Sequence, residues 1–152
     1  MWPSQLKSHY CAPASVQIGL QMYGISYSQN HIAKVLGTTP EGTDEQDILQ
    51  AGQKLGYHPV SGHFASAAHA IAWLEGELRW SPVLLCVEDW GHWVCAVGLS
   101  AGGYLVIDPD RAFPEWPVVP VTSAELAERW ACANVPGPYY AISMRTLDTV
   151  RL

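Results

Sequence analysis

Cys11-Ala12-Pro13-Ala14-Ser15-Val16-Gln17-Ile18-Gly19-Leu20-Gln21-Met22-Tyr23-Gly24 is the stretch whose reading decides the fold. From Ala12 the apolar positions Val16, Leu20 and Tyr23 recur at helical spacing, and Gly24 is a natural stop. Pro13 suits the first turn of a helix, where a missing N–H costs nothing. Cys11 therefore lies at the helix N-terminus, facing unpaired N–H groups and the positive end of the helix dipole. Both favour thiolate over thiol, the form a nucleophile needs near neutral pH. The same N–H groups can receive the oxyanion of an attacked carbonyl.

The other three cysteines have structural readings. Cys86 and Cys95 fall in apolar, strand-like runs, and Cys132 comes late in a helical segment, so each reads as a small buried hydrophobe. No two cysteines stand at the short spacing of a zinc knuckle, and four are too few to staple a chain of 152 residues.

Outward from the first helix, the following stretch reads as more helices. Ser28 caps a second helix carrying Ile32, Val35 and Leu36, closed by Gly37. Thr43 with Gln46 forms a capping box, and Ile48, Gly52 and Leu55 make the inner stripe of a third helix that ends at Gly56. Ser66 starts a fourth with Ala70, Ile71, Leu74 and Leu78 on one face. After Pro82 the texture changes. Val83 to Val87, His92 to Leu99 and Tyr104 to Ile107 are apolar, β-branched runs of strand length, with Ala101-Gly102-Gly103 placed to turn a hairpin. Trp116 to Val121 is a further strand candidate. Thr122 with Glu125 opens a short helix with Leu126 and Trp130 inside, and Tyr139 to Met144 reads as a closing strand. A helical half followed by an antiparallel half is an α+β arrangement.

Composition narrows the function classes. The chain is 49% hydrophobic and 14% charged, enough to bury a core and too apolar for disorder. Eight Lys and Arg against fourteen Asp and Glu give a formal charge of −6 with no basic run, which argues against a nucleic-acid or anionic-membrane surface. No apolar stretch approaches the about 18 residues of a membrane helix, and the first residues lack the apolar core of a secretory signal. A single domain over residues 1–152, cytoplasmic, is the expectation.

Three residues complete a constellation with Cys11. Gln5 stands six residues upstream, and its amide NH2 can serve as the second arm of an oxyanion hole. His92 begins a strand in Asp89-Trp90-Gly91-His92-Trp93-Val94. The remaining histidines have bland positions: His31 and His69 in helices, His58 before a proline, His63 in a loop and His9 beside the thiol. Asp108 closes the next strand in Val106-Ile107-Asp108-Pro109, from where the hairpin folds it back towards His92 to hold the imidazole tautomer. The register decides whether it arrives. A tight turn at Ala101-Gly102 sets Asp108 opposite Cys95 and His92 on the other face, whereas a one-residue bulge, made plausible by Gly98, Gly102 and Gly103, restores the same face.

With these residues in this order, the chain resembles the papain-like cysteine peptidases. Within them it is most similar to the bacteriocin-processing group, which cleaves leader peptides after a double glycine, and to its stand-alone relatives. The resemblance is carried by Gln5 with Cys11 six later, by "CAPASVQIGLQMYG", "GTDEQDILQAGQKLG", "GHWVCAVG", "YLVIDP" and the late "ELAERW", over about residues 5 to 130. It implies a papain-like fold with Cys11 as nucleophile, His92 as base, Asp108 as its orienter and Gln5 in the oxyanion hole. It implies a peptide or protein substrate, no cofactor and no metal. Two positions depart from the family: Ala12 stands where Gly is common and is expected to narrow the substrate channel, and Tyr10 stands where leader peptidases often carry Asp.

Thiol hydrolysis of a peptide bond is the leading reading. An acyltransferase or amidase uses the same acyl-enzyme with another acceptor, and a non-catalytic papain-like domain binds a peptide in the same groove. The intact set of four residues counts against the last. A metal site from His58, His63 and His69 lacks defined geometry.

Overall fold

The computed structural model describes residues 2–110, 120–132 and 137–146. Along them run α1 (Cys11–Met22), α2 (Gln29–Leu36), α3 (Glu45–Leu55), β1 (His58–Phe64), α4 (Ala67–Leu78), β2 (Val83–Val87), β3 (His92–Ser100), β4 (Gly103–Ile107), α5 (Ser123–Trp130) and β5 (Tyr139–Arg145). The strands form one sheet in the order β1-β5-β2-β3-β4, antiparallel at every pairing. This is the α+β class expected, with the helix that bears Cys11 packed on the antiparallel sheet.

Helices cover both faces of that sheet. Leu84, Cys86, Trp93, Cys95, Ile142 and Met144 face one core with α1, α2 and α3. Val83, Leu85, Val87, Val94, Ala96 and Val106 face a second core with α4 and α5. Every residue of β2 is therefore buried, which is why Val83 to Val87 reads as an unbroken apolar run and not as an alternation. Each buried aliphatic side chain contributes about 1.5–3 kcal/mol over its exposed state, and α1 runs through the first core with Val16, Ile18 and Leu20 fully buried.

Helix ends follow local chemistry. Ser28, Ser66 and Thr122 accept from the N–H of His31, His69 and Glu125, and Gly37 and Gly56 close their helices with φ of 68° and 102°. The third helix differs from expectation by one residue. Asp44, not Thr43, caps it by accepting from the Gln46 N–H, while the Thr43 hydroxyl bonds to Thr38 at 2.8 Å.

The helical first half is interrupted by β1, which the sequence reading missed, so His63 lies in a strand and not a loop. Pro59 and Gly62 disguise it. Both are tolerated because β1 is an edge strand, and Gly62 is needed there because a Cβ would come within 2.9 Å of the Trp73 ring. The strand expected over 116–121 lies outside the described residues except at its end, where Val121 forms an isolated bridge with Tyr104. Cys132 sits just beyond α5 and not inside it, buried as expected.

Candidate active site

Cys11 opens α1, and the residue in the N-cap position is Tyr10, whose side chain makes no capping bond. An acidic or hydroxyl residue there would occupy the first-turn donors. Tyr10 instead turns its ring into contact with His9 and Lys7 and is itself buried. Ala12 is 1% exposed and packs in the first core. Its methyl therefore points into the interior, and the expectation that it narrows the substrate channel does not hold. Four residues after Cys11, the buried Ser15 hydroxyl donates to the Trp93 carbonyl at 3.0 Å. That bond locks α1 to β3 one residue from His92.

The hairpin of β3 and β4 resolves the register in favour of the bulge. Ser100, Leu99 and Gly98 pair with Gly103, Tyr104 and Leu105, then the pairing slips at Val97, so that Ala96 opposes Val106 and Cys95 opposes Ile107. Without the slip Asp108 would oppose Cys95 and face the first core. With it, Asp108 moves to the His92 face, and His92 Nε2 lies 2.7 Å from Asp108 Oδ1. With Nε2 engaged, Nδ1 is the ring nitrogen left, and Cys11 at the start of α1 lies near enough to the imidazole to act on its charge. Cys11, His92 and Asp108 thus come together at the junction of α1 and the β3–β4 hairpin.

The electrostatics of the site are reciprocal. Burial lowers the basicity of His92, but its hydrogen bond to Asp108 and its interactions with the nearby Asp108 and Cys11 prevail and push its pKa up to about 10. Burial also works against the charge on Asp108. The hydrogen bonds from His92 and Arg129, the charge on His92 and the Asp110 N–H, 2.9 Å from Oδ1, nonetheless hold it below the usual carboxylate value. An imidazolium and a carboxylate therefore coexist at neutral pH.

Gln5 comes to the same end of the molecule, its backbone N–H on the Pro109 carbonyl at 2.9 Å, one residue from Asp108. Its amide NH2 donates to the carbonyls of Lys7 and Ser8, both at 3.1 Å, which braces the loop leading into Cys11. The segment is held by a residue that sequence reasoning missed. Buried Gln29, at the start of α2, accepts from the Leu6 N–H and donates to the Ser4 carbonyl and to Gln17. A Gln in a first helical turn carries no local signal for such a role.

Arg129 was missed as well, although it stands in the "ELAERW" run. In the last turn of α5 its guanidinium reaches both Asp108 and Glu88. His63 is occupied with rings, its centroid 5.7 Å from that of Trp90 and 5.5 Å from that of Tyr140. Among the described residues no group of three or more His, Cys, Asp or Glu is placed to hold a metal ion, and no helix is long and apolar enough to cross a membrane. Cys86, Cys95 and Cys132 are buried free thiols, and burial pushes the Cys86 thiol up to about 12.

A sequence model of the Peptidase C39 family matches residues 2–131. Among solved structures, the peptidase domain of Streptococcus ComA, a bifunctional ABC transporter involved in a quorum-sensing pathway, superposes with a TM-score of 0.72 at 20% identity. The match covers 95% of this chain and 97% of that one. A double-glycine-motif protease from an AMS/PCAT transporter, solved in complex with the leader peptide, gives 0.69 at 15% identity over 93% and 89%. A C39-like peptidase of Bacillus anthracis, described as putative, gives 0.62 at 13% identity over 95% and 94%. These likenesses speak for the fold. A comparison with curated proteins returned no match.

Proposed function

Since the chain belongs to the Peptidase C39 family and is a cysteine peptidase, we propose that it cleaves a leader-type peptide after a double glycine, with Cys11, His92 and Asp108 as its triad. The observation that carries the assignment is the 2.7 Å contact of His92 Nε2 with Asp108 Oδ1, close to Cys11 at the start of α1. The peptide seen with the double-glycine protease supports the substrate class.

The chemistry follows from this arrangement. The Cys11 thiolate attacks the scissile carbonyl carbon through Sγ, and the carbonyl oxygen takes the negative charge. The first-turn N–H groups of α1 have no side-chain cap, which leaves them available to receive that charge. Gln5 joins them by exchanging one of its two backbone carbonyl partners for the oxyanion. The His92 imidazolium passes its Nδ1 proton to the leaving amine, and the acyl-enzyme remains on sulfur. His92, now neutral, takes a proton from water, whose oxygen attacks the thioester and releases the acid. Asp108 keeps the ring oriented through both halves.

Synthetic peptides carrying an internal Gly-Gly, and matched peptides with Ala-Ala in its place, test the proposal by mass spectrometry of the products. A cut after the second glycine that vanishes in Cys11→Ala is expected. Cleavage that survives in Cys11→Ala, or equal cleavage of the Ala-Ala peptides, refutes it.

A further inference from the structure

We propose that Arg129 is a positioning residue for the His92–Asp108 pair: from the end of α5 it grips both the carboxylate that orients the imidazole and the turn that delivers it. The inference rests on the roles given to His92 and Asp108 above.

Asp108 has two oxygens and both are committed. Oδ1 takes His92 and the Asp110 N–H, and Oδ2 takes Arg129 Nη2 at 2.5 Å. The Asp108 side chain is fully buried while that of Arg129 is 18% exposed, so the guanidinium stands between the carboxylate and solvent. A carboxylate pinned at only one oxygen can rotate about its terminal bond, whereas pinned at both it presents Oδ1 to the ring in one orientation.

The second grip is on the β2–β3 turn. Glu88, Asp89 and Trp90 run consecutively in the left-handed region, with φ of 55°, 55° and 65°. Side chains with a Cβ disfavour that region, and such a run persists only where its surroundings over-determine it. Arg129 supplies two of the restraints. Its guanidinium Nε and Nη2 lie 3.1 and 2.8 Å from Glu88 Oε1. Its backbone carbonyl, in the helical turn where carbonyls lack intrahelical partners, accepts the Glu88 N–H at 3.0 Å. The Gly91 N–H on the Glu88 carbonyl then closes the turn directly before His92. One planar fork thus ties the two strand ends that must meet, a task for which the single point charge of lysine is poorly shaped.

The test uses full-chain Arg129→Gln, Arg129→Lys and Glu88→Gln, with Asp108→Asn as a second background. The first readout is kcat and KM on a fluorogenic peptide amide ending in Gly-Gly. The second is the proton NMR signal of His92 Nε2–H, far downfield while it is bonded to a carboxylate. Arg129→Gln is expected to lower kcat by about 10- to 100-fold with KM within about threefold, the signature of misplaced catalytic groups. The downfield signal is lost in that variant and partly restored in Arg129→Lys. On the Asp108→Asn background the same change costs less than about threefold, because both substitutions remove one constraint. If Arg129→Gln does not fold, Arg129→Lys and Glu88→Gln decide: each keeps part of the clamp and should show a weakened signal. A wild-type signal in folded Arg129→Gln, equal losses on both backgrounds, or a change in KM alone overturns the proposal. Failure of the wild type to cleave, with a signal that still follows Arg129, instead counts against the substrate assignment.

Discussion

Replacing Asp108 by alanine is expected to cost activity in proportion to pH, because the carboxylate sustains the charge on His92. With its pKa raised to about 10, the imidazole is about 99% protonated at pH 8. Without Asp108 the ring returns towards its ordinary value near 6.5, and only about 3% is protonated at that pH. The population able to donate to the leaving amine then falls by about 30-fold at pH 8 but by less than about twofold at pH 6. Burial of the ring pulls the variant lower still, and the remaining interaction with Cys11 pulls it higher. Asp108→Asn keeps an acceptor and loses the charge, so its alkaline limit should fall between the two. Stability follows with a definite sign. His92 is raised in the folded state, so its share is full below about 6.5 and fades as pH rises through about 10. Asp108 is lowered, so its share is present above its ordinary value of 3.8 and is lost as pH falls through the folded value. The gap in Tm between wild type and Asp108→Ala should therefore be widest between about pH 4 and 6.5. The assay is kcat/KM on a Gly-Gly peptide from pH 5 to 10, beside an NMR titration of the His92 ring. An alkaline limit still near 10 in Asp108→Ala, or a loss equal at all pH, refutes the reasoning.

Three further outcomes are expected. Cys11→Ala abolishes turnover, while Cys86→Ala and Cys95→Ala keep it and lose about 1 kcal/mol of packing, read by denaturant unfolding; a folded Cys11→Ala that turns over at the wild-type rate is incompatible with the assignment. Gln5→Ala lowers kcat by about 10²–10³ with a smaller change in KM, and an effect confined to KM would make Gln5 a binding residue. Gly52→Ala destabilises by about 1–3 kcal/mol, because its Cβ would come within 2.5 Å of Pro59 Cδ and 2.9 Å of the Tyr57 carbonyl oxygen; an unchanged Tm would mean that α3 and β1 pack less tightly than described.

Much of this protein is written locally. The spacing of Val16 and Leu20, the caps Ser28, Ser66 and Thr122 and the closing glycines Gly37 and Gly56 specify helices through interactions within a few residues, and each appears where its residues place it, the cap of α3 alone moving from Thr43 to Asp44. The apolar run Val83 to Val87 likewise read as a strand from its composition and length. Cys11 was legible because a helix start, a proline and a thiol share five consecutive residues.

What the sequence left open depends on partners far along the chain. β1 exists as a strand because β5, some eighty residues later, supplies its hydrogen bonds, and nothing between His58 and Phe64 reports that. The slip at Val97 is a choice between two pairings of the same two strands, decided by which arrangement puts Tyr104 and Val106 in the second core and Ile107 in the first. The site inherits that choice, since the face on which Asp108 emerges changes with a shift of one residue. Arg129 and Gln29 have meaning only once α5 meets the hairpin and α2 meets the amino-terminal segment. The candidate nucleophile was thus legible in the sequence. The meeting of His92 with Asp108 belongs to the tertiary structure, because strand register and long-range hydrogen bonds are settled by burial across the whole sheet and not by neighbours in the chain.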